Sequence, residues 1–145
     1  MNRIVELCKQ YTSLTDEEIK IITSMAVSLQ PIANLEEADV FVDCPTSDGD
    51  AIVVAEAKPQ GVPSSYKKTV VGLLAKPENE PAVARTMKLG VTTKQMKAVT
   101  QESTHVIQSV EPISHASKVI GVLIIEKHAD EPAGIPGNRL FLPYL

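Results

Sequence analysis

Apolar positions recur at helical spacing in the first part of the chain and at strand spacing afterwards. Ile4, Leu7, Cys8 and Tyr11 stand at i, i+3, i+4 and i+7, which gathers them on one stripe of a first helix. Thr15 is placed to cap a second helix. Glu18 completes a capping box, Leu14 and Ile19 form the flanking staple, and Ile19, Ile22, Met25, Ala26 and Leu29 share its apolar face. Pro31 offers no backbone donor, so the helix is expected to kink or end near Leu29, with 32–37 adding a short helical turn. Two N-terminal helices within residues 1–37 thus precede everything else.

From Ala38 the spacing changes. The β-branched and aromatic run 38–44, a Pro-Asp-Gly turn, and the run 51–57 predict a β-hairpin. Residues 58–68 are polar and rich in breakers, predicting a loop, while 69–75 is apolar and of undetermined type. Pro81 and Gly90 bracket a further helix with the expected asymmetry of an early proline and a left-handed terminator. A linker at 91–95 follows. The runs 103–114 and 117–127 then flank His115-Ala116 as a second hairpin, whose length suggests the sheet's central pair. The stretch Val119–Ile125 is apolar at both parities, so both faces of that strand should be covered. The expected fold is α+β: an antiparallel sheet of about five strands, two N-terminal helices on one face and a loop–helix cover on the other. Pro132, Gly134, Pro136, Gly137 and Pro143 predict a flexible tail over 129–145.

Composition narrows the function. The chain has 145 residues, 43% hydrophobic and 22% charged, enough for one core. A net charge of −4 supplies no cationic field for nucleic acid or an anionic membrane surface, and neither is expected as a partner. No apolar run approaches the roughly 20 residues of a membrane helix, and the N-terminus lacks a signal peptide's block, so a cytoplasmic location is expected. Cys8 and Cys44, without a C-x-x-C pairing, are expected to be reduced, idle thiols.

Catalytic motifs are missing. His105, His115 and His128 lack metal-ligand spacing or a haem-ligating context, so neither metal nor cofactor is expected. The glycines form no phosphate loop, and Ser64-Ser65 has no nucleophile-elbow context. Asp43, Asp48 and Asp50 could hold a cation, yet turn chemistry explains Asp48 and Asp50. What remains is a concave site between sheet and cover. In the first strand Val40 and Val42 share one face, and Asp39, Phe41 and Asp43 the other, whose mixed character suits a pocket wall. Phe41, Tyr66, Glu80, Arg85 and Gln108 form the candidate ligand-binding set, although surface or capping roles compete for Glu80 and Arg85.

Particular phrases also carry a family resemblance. They are Leu35-Glu36-Glu37-Ala38-Asp39-Val40, Ser65-Tyr66 before Val71-Gly72, Glu80-Pro81-Ala82-Val83 through Gly90, the run Val106–Ile113, and the run Lys118–Leu123. Over about residues 1–128 the chain resembles the N-terminal GAF-like sensor domain of cytosolic two-component histidine kinases, the type that signals to RNA-binding antitermination response regulators, including the ethanolamine-responsive kinases. The resemblance implies a PAS/GAF-like fold, a small-molecule or protein-borne signal, a homodimer, and a kinase core in cis. No phosphoacceptor helix or ATP-binding box is present, so this chain is expected not to be an enzyme, and kinase chemistry would belong to sequence beyond residue 145. The expected function is a ligand-sensing signal-input domain. The alternative is a ligand-free dimerisation or docking module. A void of roughly 300 Å³ or more favours the former and a packed interior the latter. An enzyme would need converging ionisable groups with perturbed pKa values in one cleft.

Overall fold

A computed structural model describes residues 2–100 and 102–129; the tail expected over 129–145 lies, beyond Ala129, outside the described residues. The elements run α1 (Asn2–Tyr11), α2 (Asp16–Ala26), α3 (Leu29–Glu36), β1 (Asp39–Pro45), β2 (Ala51–Ala57), β3 (Leu74–Ala75), α4 (Pro81–Leu89), β4 (Thr93–Val99), β5 (His105–His115) and β6 (Lys118–His128). The strands form one antiparallel sheet in the order β3-β2-β1-β6-β5-β4.

The α+β fold with its two-sided cover is as expected, and several details differ. Three helices, not two, precede the sheet, because α2 ends at Ala26 and Pro31 falls in the first turn of α3, where a backbone N–H has no helical acceptor to lose. The strands number six, against about five expected. The undetermined run 69–75 contributes the two-residue β3, and the supposed linker 91–95 opens into β4. β4 is an edge strand with only Thr93 buried, so it shows no alternation to read, and its Lys94 and Lys97 are exposed. The middle of the sheet is β1 beside β6, with β5 one place outward, because the β1–β2 hairpin docks on β6. The second hairpin turns at Ala116-Ser117, one residue later than read; both have positive φ (52° and 65°), the hand that suits a two-residue hairpin loop.

Two apolar layers result. On one side α1–α3 pack Leu7, Ile22 and Leu29 against Val40, Val42 and Ile52. On the other, Ala82 and Val83 of α4 meet Phe41, Val53, Val110, Val122 and Ile124. Two bulges adjust this partition: Val54 is the extra residue of β2 against β1, and Ile120 that of β6 against β5. Each places consecutive residues, Val54-Ala55 and Ile120-Gly121, toward the helices. Cys8 of α1 and Cys44 of β1 are buried free thiols within this layer; their mutual interaction draws the Cys8 thiol down and, with burial, pushes Cys44 up.

The capping box is present at α2: the Glu18 N–H donates to Thr15 Oγ1 at 3.1 Å and the Thr15 N–H to Glu18 Oε1 at 2.9 Å. Glu18 also lies 3.2 Å from Lys118 Nζ, joining α2 to β6. Thr15→Ala is expected to cost about 1 kcal/mol in a urea denaturation, through loss of the acceptor for the Glu18 N–H.

Candidate functional site

The cover-side face of β1 presents Asp39, Phe41 and Asp43 in alternation, because Val40, Val42 and Cys44 are committed to the helix side. Register places Asp39 opposite Glu126 of β6 and Phe41 opposite Ile124. Over this face pass the irregular segment 58–73 and the start of α4. Asp39 fastens the segment: Ser64 Oγ donates to Oδ1 at 2.6 Å and the Ser65 N–H to Oδ2 at 2.9 Å. Glu56 holds it further along by accepting the Val70 N–H at 3.1 Å.

Tyr66 is thereby laid edge-on to Phe41, with ring centroids 5.2 Å apart and planes at 74°. Its hydroxyl donates to Glu126 Oε1 at 2.6 Å, and Gln108 Nε2 donates to Glu126 Oε2 at 2.7 Å. Gln108 Nε2 also lies 3.4 Å from Glu80 Oε1. Glu80 is the residue preceding α4, and its side chain makes no capping hydrogen bond; it turns toward the sheet instead. Asp43 completes the group. It is 2% exposed, and its Oδ1 is buried without a hydrogen-bond partner among the described residues.

These side chains enclose a niche of about 40 Å³ lined by Phe41, Asp43, Tyr66, Glu80, Ile124 and Glu126, among others. Among the described residues no lysine, arginine or histidine lines it. Burial pushes the Asp43 carboxyl up to about 8, reinforced by the charges of Glu80 and Glu126. Burial raises Glu126 to about 7 against the pull of the Tyr66 and Gln108 hydrogen bonds, and raises Glu80 as well. Burial, then the Glu126 charge, pushes the Tyr66 hydroxyl far upward, so it is no activated nucleophile. A groove of about 400 Å³ adjoins the niche, sharing Ala75 and Glu80 with it and running along Val83 and Met87 of α4, with Lys76 and Lys88 also on its wall.

Four of the five candidate residues come together here: Phe41, Tyr66 and Glu80 on the niche wall, and Gln108 behind it, bonded to Glu126. Arg85 does not. It lies on the exposed side of α4, donating from Nη1 to Thr93 Oγ1 at 2.9 Å and to the Thr92 carbonyl at 3.4 Å, the surface role that competed for it. Sequence reasoning omitted Asp43 and Glu126 from the set. Both carried a signal: Asp43 shares parity with Phe41, and Glu126 is a lone carboxylate in phase with Val122 and Ile124 in an apolar strand.

Comparison with known proteins places this geometry. A family model described as histidine kinase PdtaS, GAF domain, matches residues 4–134. Similar solved structures include the sensor region of a sensor histidine kinase, with a TM-score of 0.71 and 21% identity over 95% of this chain and 46% of that one. The present chain therefore spans about half of that structure's length. The GAF domain from an Acinetobacter phosphoenolpyruvate-protein phosphotransferase has a TM-score of 0.54 at 11% identity, covering 90% of this chain and 77% of that one. The phycocyanobilin-bound GAF domain from a cyanobacterial phytochrome has a TM-score of 0.52 at 16% identity, covering 90% and 79%. At such identities the likeness is one of fold. No curated protein matches the sequence.

Proposed function

Since the chain belongs to the family of histidine kinase PdtaS GAF domains, we propose that it is the ligand-sensing input domain of a cytoplasmic two-component sensor kinase, acting as a homodimer on a kinase core in cis. The observation that carries the sensing role is the niche between sheet and cover, where a buried carboxylate oxygen of Asp43 has no partner among the described residues. An occupant supplying that partner would bind more tightly to one arrangement of the cover than to another. Only such a difference in affinity can shift the balance between two states. The cover is suited to this: it is tied to the sheet through a few polar contacts, at Asp39, Glu56 and Glu126. Converging carboxyls with raised pKa values would also suit an enzyme, but the niche offers no activated nucleophile, and family membership favours sensing.

A chimera tests this reading, with residues 1–128 replacing the input domain of a histidine kinase of the same family. Tyr66→Phe, which frees Glu126 from the cover, is expected to change autophosphorylation about fivefold or more, the lower end of ordinary coupling energies. Autophosphorylation that is indifferent to Tyr66→Phe and to Asp43→Asn would overturn the sensing role. It would favour the second reading, a ligand-free dimerisation or docking module, which the small volume of the niche also supports: 40 Å³ is far short of roughly 300 Å³, whereas the adjoining groove reaches that size.

A further inference from the structure

We propose that Cys8 and Cys44 are a reversible modification site, joined into an intramolecular disulfide by a peroxide-class oxidant, and that the bridge clasps α1 to the central strand β1. The sensing role proposed above assigns nothing to either residue, and this site works whether or not the niche is occupied. The chain holds two cysteines, and the fold brings both into one apolar cluster on the helix side of the sheet, each 0% exposed. A backbone tie fixes the approach of the two elements: the Ser47 N–H donates to the Tyr11 carbonyl at 3.1 Å. Tyr11 stands three residues beyond Cys8, and Ser47 three residues beyond Cys44. The tie thus pins the end of α1 over the turn that follows β1, roughly 5 Å along the helix from Cys8.

The two thiols are not equivalent. Each is the largest influence on the other: their interaction draws Cys8 down and, with burial, pushes Cys44 up, so Cys8 is the one that ionises and Cys44 keeps its proton. That is the division of labour between an attacking and a resolving sulfur. The Cys8 thiolate attacks one oxygen of hydrogen peroxide, the O–O bond breaks, and the departing hydroxide takes up the proton that Cys8 released, leaving a sulfenic acid and one water. The Cys44 sulfur then attacks the Cys8 sulfur, the S–O bond breaks, and the hydroxyl leaves with the Cys44 proton as a second water. Two thiols and one peroxide become one disulfide and two waters. Two equivalents of a small thiol reverse the change and are themselves oxidised to a disulfide. Burial selects the oxidant, because a compact reagent reaches the shielded sulfurs when α1 opens locally and a bulky one does not. The bridge closes a loop of roughly 35 residues that contains α2 and α3, and it holds α1 on the strand whose Asp43 lines the niche.

The test exposes the reduced, folded 145-residue chain to hydrogen peroxide without denaturant, blocks the remaining thiols with an alkylating reagent, and maps the peptides by mass spectrometry. A peptide linked through Cys8 and Cys44 is expected, lighter by about 2 Da than its two reduced parts together. The melting temperature should rise by roughly 5 °C or more and return to its starting value in excess dithiothreitol. In Cys44→Ser a dimedone-type probe should trap a sulfenic acid at Cys8, whereas in Cys8→Ser the remaining Cys44 should resist the probe. Absence of the linked peptide from the folded parent chain, its formation only in urea, or trapping at Cys44 in preference to Cys8 would each overturn the proposal, as would a linked chain that melts no higher than the reduced one. The linked peptide is read on the parent chain, so that result does not depend on whether a serine variant folds. None of these outcomes touches the sensing role, which the chimera tests separately.

Discussion

Asp43→Asn is expected to make the fold more stable, by a margin that widens as pH rises. The folded state holds the Asp43 carboxyl at about 8, whereas the unfolded chain releases that proton near the ordinary value of about 4. Between those limits the folded chain carries a proton that the unfolded chain has lost. Stability from this group is therefore complete below about pH 4 and drains away as pH climbs to 8. Glu126, at about 7, contributes with the same sign over a narrower window, and Glu80 is raised in the same direction. Glu18 acts oppositely: the backbone hydrogen bond from Thr15 lowers its pKa, so its contribution is lost on acidification. Asparagine keeps the shape of the side chain and removes the charge. Its advantage over the parent should grow by roughly 3 kcal/mol between pH 5 and 8.5, or on the order of 10 °C in melting temperature. Parallel melting curves for the two proteins across that range would mean that Asp43 holds no such proton. The groups facing it are Glu80 from the start of α4, Glu126 from β6, and the neighbouring Cys44 thiol, so Glu126→Gln is the natural second variant.

Gly121→Val should be the most damaging single change in the sheet. A Cβ at this position would stand 2.9 Å from the Asp43 carbonyl oxygen and 3.0 Å from Ile22 Cδ1, with Cys44 Sγ at 3.6 Å. The first of these is backbone of the neighbouring central strand and cannot swing aside. Relief would require β1 and β6 to separate or α2 to lift from the sheet, and Ile22 is fully buried beneath it. The expected cost is about 3 kcal/mol or more, measured by denaturant unfolding. Gly121→Ala should show a smaller loss of the same origin. A valine variant as stable as the parent would mean that the two central strands lie farther apart than described here.

Much of the architecture was legible because burial on both faces leaves a strong pattern. Residues 51–57 gave β2 outright, and Thr15, Glu18, Pro81 and Gly90 marked helix ends through chemistry local to each end. What escaped notice depends on partners far along the chain. β4 has one buried residue, and a strand exposed along its length need not alternate. The order β1 beside β6 follows from how two hairpins dock, and strand length does not encode that. The bulges at Val54 and Ile120 look in sequence like an unbroken apolar run. At the niche, parity pointed to Phe41, and Tyr66, Glu80 and Gln108 were the polar side chains expected near the concave face. Arg85 lies away from the niche because its place on α4 turns it toward Thr93. Asp43 was read onto the pocket-wall face but left out of the candidate set, and Glu126 was passed over: an acid in an apolar strand has little meaning until its neighbours across the sheet are known.

The lysines of β4 have a bearing on how the protein behaves when concentrated. Thr93–Val99 forms the outer margin of the described sheet, with backbone groups available to a similar segment of another molecule. Antiparallel approach of two such margins would bring Lys94 and Lys97 of each molecule toward their counterparts, an electrostatic barrier against ribbon-like polymers. Solutions of the protein should therefore tolerate crowding best at low salt, where that repulsion reaches farthest.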